Sequence, residues 1–153
     1  MRVGKYRSMI PHVIQILRNG ATVSELRWEL WKMGYKTKYM SFYQNIIRPA
    51  YKLGLIVRKG DKYYTVRDLE TCTAWKNPKF FADPLIYGKK LKKYVSEHKC
   101  PKEVAFIQLY PDKTIEVVKG LIEIIKKGGR PDPKLNSMKI LMIVKKHNFL
   151  RVS

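Results

Sequence analysis

The stretch GYKTKYMSFYQNIIRPAYKLG, residues 34–54, decides how the first half of this chain is read. Placing 100° between successive residues sorts it into two faces. Tyr39, Tyr43, Ile46, Ile47, Ala50 and Leu53 share one. Lys38, Ser41, Gln44, Asn45, Arg48 and Lys52 share the opposite one, with Phe42 at the border. The pattern predicts a helix over 38–53, with Thr37 as its N-cap and Gly54 as its stop. Pro49 interrupts that helix. Its missing N–H would have bonded the carbonyl of Asn45, which lies on the polar face where water satisfies it. The expectation is a kink after the N-terminal half, at a cost of up to about 3 kcal/mol where nothing compensates.

Two helical segments precede this one. SMIPHVIQILRNG (8–20) sets Met9, Val13, Ile16 and Leu17 at helical spacing, with Pro11 in the first turn and Asn19-Gly20 as the stop. In ATVSELRWELWKMG (21–34), Thr22-x-x-Glu25 has the form of a capping box, and Leu26, Leu30 and Met33 make the apolar stripe. Trp28 and Trp31 lie off that stripe at i, i+3, and are read as packing on a neighbouring element. Downstream, LIVRKGDKYYTV (55–66) predicts two short strands, Leu55–Val57 and Tyr63–Val66, around a basic tip carrying Arg58, Lys59 and Lys62.

The order is helix, helix, helix, hairpin in about 60 residues. The phrase Tyr51-Lys52-Leu53-Gly54-Leu55-Ile56, followed by Arg58-Lys59-Gly60, resembles the end of the third helix and the wing of winged helix-turn-helix domains. The resemblance covers residues 5–68, roughly, and rests on pattern. It implies that 38–53 is a recognition helix entering the major groove of duplex DNA, its N-terminal half reaching base edges. In that role Gln44 and Asn45 suit adenine edges, Arg48 suits guanine or a phosphate, and Ser41 either. Phe42 would meet a thymine methyl. Lys38 and Lys52 suit phosphates, which position a protein without reading sequence. Arg58, Lys59 and Lys62 would reach a minor groove or flanking phosphates, and an N-terminal arm of Arg2, Lys5 and Arg7 the backbone.

Charge supports a polyanionic partner independently. The 153 residues hold 32 Lys and Arg against 12 Asp and Glu, a formal net charge of +20. The excess is +9 over residues 1–70 and +11 over 71–153, so no basic tail accounts for it. Such a surface gains from releasing the counterions of a nucleic acid. A thermophile surface would raise Glu together with Lys, and here Glu lags. The Lys, Ile and Tyr bias, with little Gln, points to a hyperthermophilic archaeon or a virus of one. Ten Tyr and three Trp argue against a disordered chain. No apolar run is long enough to span a bilayer and no signal-peptide core is present, which predicts a cytoplasmic, nucleoid-associated protein with no membrane partner.

The second half reads as helical. Residues 71–83 (TCTAWKNPKFFAD) form a connector anchored by Trp75, Phe80 and Phe81, expected to pack the two halves together. Asp83-Pro84 starts a helix carrying the basic cluster Lys89, Lys90, Lys92 and Lys93. Pro101 begins a shorter one, Asp112 caps a third ended by Gly128-Gly129, and Asp132-Pro133 opens a fourth. The last two are apolar enough for a small bundle or a homodimer interface. The predicted fold class is mainly α with a small β-hairpin wing: a winged helix-turn-helix domain over 1–70, the connector over 71–83, and a C-terminal helical domain over 84–153.

Catalytic patterns are missing. No phosphate-cradling glycine loop, Ser/His/Asp spacing or carboxylate cluster shows, so the sequence predicts no enzyme and no cofactor. Cys72 and Cys100 form no CxxC pair, and His98 beside Cys100 completes no zinc pattern. A disulfide between them is left open. The expected function is sequence-specific DNA binding in transcriptional regulation, working as a dimer. The alternatives are a non-specific chromatin- or RNA-associated basic protein, and a non-enzymatic interaction subunit of a replication or viral complex.

Overall fold

The computed structural model describes residues 3–147, with side chains from Tyr6 onward. Among the predicted DNA-contacting groups, Arg2 and the side chain of Lys5 lie outside the described residues. The chain is mainly α, with one small two-stranded antiparallel sheet. Its elements are α1 (Val3–Leu17), α2 (Val23–Lys32), α3 (Tyr39–Phe42), a π-helical turn (Tyr43–Ile47), α4 (Arg48–Leu53), β1 (Ile56–Lys59), β2 (Lys62–Thr65), α5 (Pro78–Ala82), α6 (Gly88–His98), α7 (Lys102–Leu109), α8 (Pro111–Lys126) and α9 (Asn136–His147). Short 3-10 turns at Arg67–Leu69, Thr73–Lys76 and Pro84–Ile86 join them.

Local rules account for most boundaries. Thr22 and Glu25 form the reciprocal capping box: Glu25 N–H donates to Thr22 Oγ1 at 3.1 Å, and Thr22 N–H to Glu25 Oε1 at 2.9 Å. The Thr22 N–H bond to the carboxylate, with the Thr22 side chain beside it, holds the Glu25 carboxyl below its usual value. Gly54 ends α4 with φ +83°, a left-handed conformation, and a side chain there would meet the backbone of Arg130 at 3.1 Å.

Several boundaries differ from the sequence reading. α1 begins at Val3, so Pro11 sits inside the helix. Arg7 and Pro11 are both exposed, which leaves the unbonded Arg7 carbonyl to water. The helix expected at Asp83-Pro84 is a single 3-10 turn, with Asp83 Oδ1 accepting from Leu85 N–H at 3.3 Å, and α6 starts afresh at Gly88. At Asp132 the carboxylate accepts Lys134 N–H at 2.9 Å and makes a turn, so α9 waits until Asn136. Asp112 lies inside the first turn of α8 rather than capping it. The strands run further into the hairpin tip, because the ladder closes at Lys59↔Lys62 around a two-residue turn with Gly60 at φ +65°.

One continuous hydrophobic core runs from Met9 and Val13 of α1 to Ile140 and Val144 of α9. Its middle is α5. Pro78, Phe80, Phe81 and Ala82 are all buried, and α5 makes the most extensive helix–helix contact of the described residues, with α4. On its other side Phe81 lies against Gly120 of α8, where an added Cβ would stand 2.4 Å from the ring. Trp75, in the preceding 3-10 turn, is equally buried. The hairpin is held to the N-terminal helices through Ala21, which exchanges both backbone hydrogen bonds with Tyr63, at 3.1 and 2.8 Å. Cys72 and Cys100 are free thiols, and burial raises the Cys72 thiol above its usual value. Most of the apolar surplus of α8 and α9 is consumed in this core. Ile125 and Met142 remain exposed.

Because Gly120 and Phe81 meet so closely, Gly120→Ala should overpack the seam between α5 and α8. The expected loss is about 1–3 kcal/mol of stability, read as a lower denaturation midpoint in urea with an unchanged slope.

Candidate nucleic-acid interface

The segment 39–53 is neither the regular helix nor the kinked one that the sequence predicts. α3 passes into a π-helical turn, where Arg48 N–H bonds Tyr43 C=O five residues back, and α4 then resumes the α pattern with Pro49 at its second position. The wide turn fits the proline. Pro49 donates nothing to a ladder, and its ring clashes with the carbonyl four residues back unless that carbonyl moves away. Pro49 itself is buried.

The π turn also rephases the helix faces. Counting five residues back from the buried Ile47 reaches Phe42, where a step of four would reach Tyr43. Phe42 is accordingly fully buried, while Tyr39 is exposed and Tyr43 half-buried. Phe42 is therefore core, and the expected contact with a thymine methyl is corrected. The two tyrosines stack on each other with ring centroids 6.2 Å apart.

The polar face divides in a way the sequence did not show. Asn45 Nδ2 donates to Ser41 C=O at 2.7 Å and lies 3.3 Å from Ser41 Oγ, which is itself 3.1 Å from the Tyr6 hydroxyl. Both side chains are half-buried and engaged within the protein. Lys52 is also drawn inward: its Nζ stands 3.3 Å from Asp132 Oδ2, and its carbonyl accepts Asp132 N–H at 2.8 Å. It clamps the 128–132 loop onto the end of α4 and is not the free phosphate contact expected. Lys38, Gln44 and Arg48 remain exposed.

On the hairpin Arg58, Lys59 and Lys62 are all exposed. Arg58 Nε donates to Gly60 C=O at 2.8 Å, and its guanidinium lies 5.8 Å from the Tyr63 ring centroid. Lys59 Nζ lies 5.5 Å from the Tyr64 centroid. These contacts hold the cations over aromatic faces without neutralising them. Asp61 is the one acid at the tip. Among the described residues no carboxylate forms an ion pair with Lys38, Arg48, Arg58, Lys59 or Lys62.

The sequence missed two features. A groove of about 490 Å³ separates α4 from the C-terminal half, with Gln44, Arg48 and Lys52 on one wall and Lys79, Asp132 and Lys134 on the other. Nothing in a linear sequence pairs residue 48 with residue 134. Trp28 and Trp31, read as packed, are exposed instead. α2 turns Val23, Leu26 and Leu30 inward, and Met33 has left the stripe at the C-cap. The signal was present in their i, i+3 spacing off the apolar stripe. Among the described residues no cluster of three or more His, Cys, Asp or Glu side chains is placed to hold a metal ion, and no helix is long and apolar enough to cross a membrane.

No family model, curated protein or solved structure matches this chain.

The acid limb of stability follows from two carboxylates in long-range contacts, Asp132 joining the two halves through Lys52 and Glu70 joining the end of α1 to the segment after the hairpin. Asp132, bonded by Lys134 N–H and Lys52, titrates below its ordinary 3.8. Glu70, held by the Arg18 guanidinium in two bonds of 2.8 Å, titrates below its ordinary 4.5. Both are more acidic folded than unfolded, so their contribution is complete above those ordinary values and falls away as pH drops through the depressed native ones. Melting temperature should decline from about pH 5 downward. Asp132→Asn, which keeps the turn but not the charge, and Glu70→Gln should each flatten that decline in a pH series of thermal melts.

Proposed function

We propose that this chain is a DNA-binding protein that holds a duplex against α3–α4 and the hairpin. The observation that carries the reading is the set of five exposed cations that form no ion pair with a carboxylate among the described residues, Lys38 and Arg48 on the helix and Arg58, Lys59 and Lys62 on the hairpin, Glu25 acting on Lys62 only at longer range. They belong to a chain of net charge +20. The order of three helices and a hairpin, with Ala21 joining the hairpin to the α1–α2 linker, supports the resemblance to winged helix-turn-helix domains. In this reading Arg48 and Gln44 meet base edges, the hairpin cations meet phosphates, and Lys79 and Lys134 across the groove extend the phosphate track. Sequence-specific regulation of transcription is the role that a base-reading helix would serve.

A specific observation favours a second reading, non-specific binding to the same surface. Ser41 and Asn45 bond each other, which reduces the free base-reading groups on the helix to Gln44 and Arg48. Few readers on a strongly cationic face describe a protein that binds by charge more than by sequence.

Titration of random and selected duplexes across a salt series separates the readings. Neutralising Arg58, Lys59 and Lys62 together should weaken binding to every duplex and reduce the salt slope by about 0.9 per lost phosphate contact. Arg48→Ala should cost about 1–3 kcal/mol on a preferred sequence and little on others. Equal affinity for all sequences, with Arg48 behaving like the hairpin cations, selects the non-specific reading. Absence of binding at low salt refutes both.

A further inference from the structure

The outer side of α2 leaves two tryptophans in water. Trp28 is 60% exposed and Trp31 48%, one turn apart on the same helix. Their surroundings are cationic and aromatic. Lys36 Nζ sits 5.0 Å from the Trp31 ring centroid. Arg27, one turn before Trp31, donates from Nη2 to the Thr37 carbonyl and lays its guanidinium 5.5 Å from the Tyr39 centroid. Tyr39, 43% exposed, stacks on Tyr43, and Met40 beside it is 59% exposed. Arg27 thus bridges the tryptophan helix to the start of α3. Two acids lie on this helix: Glu29 pairs with Lys32 at 2.8 Å, and Glu25 accepts the Thr22 N–H of the capping box at 2.9 Å.

Large flat side chains left exposed between cations match one ligand chemistry. Bases offer π-faces for stacking, and the connecting phosphates meet the cations. A duplex cannot use such a surface, because its bases are already stacked on one another. A second copy of this chain is disfavoured by charge, since it would bring another +20 against the patch. We propose that the α2 face carrying Trp28 and Trp31 is a stacking site for the unpaired bases of a single nucleic-acid strand, bordering the duplex-binding surface at Tyr39, the first residue of α3. The two tryptophans lie on α2, outside the surface of the duplex reading, and the two sites share the border at Tyr39 and the polyanion-attracting charge of the chain.

Tryptophan emission of the full chain provides the test, because Trp75 is only 2% exposed and serves as an internal reference. Oligomers dT and U of about 15 nucleotides, within the length one such surface covers, are titrated beside a duplex of equal length. Quenching of the exposed tryptophans by the single strands is expected. Trp28→Ala/Trp31→Ala should weaken single-strand affinity on the order of tenfold per stacked base and leave duplex affinity unchanged, while Trp28→Phe/Trp31→Phe retains most of it. Preference for dT or for U identifies DNA or RNA as the source of the strand. Single strands that bind without quenching, or an alanine variant of unchanged single-strand affinity, overturn the site. So does a concentration-dependent dimer that the alanine variant abolishes, since it assigns the patch to self-association. Loss of duplex binding with quenching retained refutes the duplex reading and leaves this one standing. Both substitutions are on exposed positions, and an unchanged circular dichroism spectrum shows that the variants fold.

Discussion

The seating of α4 on α5 is the contact on which the rest of the structure depends. Pro49, Ala50 and Leu53 form the buried side of α4, and Pro78, Phe80, Phe81 and Ala82 the buried side of α5. A short helix of five residues has little stability of its own, so α5 exists because both of its sides are covered. With α4 on one side and α8 on the other, two halves of similar charge share one hydrophobic core. Burial of large rings contributes about 1.5–3 kcal/mol each, which is enough to hold together surfaces that repel one another at long range.

That contact also decides what the helix can offer to a partner. The end of α4 is fixed by the 128–132 loop through Lys52, Asp132 and the close approach of Gly54 to Arg130. Ahead of α4, α3 and the π-helical turn are fixed by Tyr6, Ser41 and Asn45. From this anchored segment Gln44 and Arg48 line the groove. The polar residues of an amphipathic helix are thus of two kinds here. Some close the structure, and the remainder face solvent. Helical periodicity identifies the polar face without distinguishing them, because a hydrogen bond to a residue 35 or 80 positions away leaves no trace in local spacing.

Charge is distributed with the same economy. The ion pairs among the described residues are local, such as Lys93 with Glu97, or join distant segments, such as Lys52 with Asp132 and Arg18 with Glu70. Exposed pairs of this sort are worth little individually. With 32 Lys and Arg against 12 Asp and Glu the acids are too few to neutralise the cations, which costs self-repulsion in the compact protein. Aromatic rings beneath Arg58 and Lys59 hold two of the hairpin cations in place at small desolvation cost.

By itself the sequence determined the helical class, the hairpin, the Thr22 capping box, the glycine stops and the cationic character. Each follows from interactions within a few residues or from composition. It also marked Pro49 as an anomaly, without showing that a π turn absorbs it. Only the tertiary structure decided that Phe42 is core while Tyr39 is not, since one extra residue in a turn shifts every later position by about 100°. Only the tertiary structure decided that Lys52 faces Asp132, and that α2 has nothing packed over Trp28 and Trp31. Those outcomes depend on which surfaces meet, and residues distant in sequence meet only once the whole chain has chosen its packing.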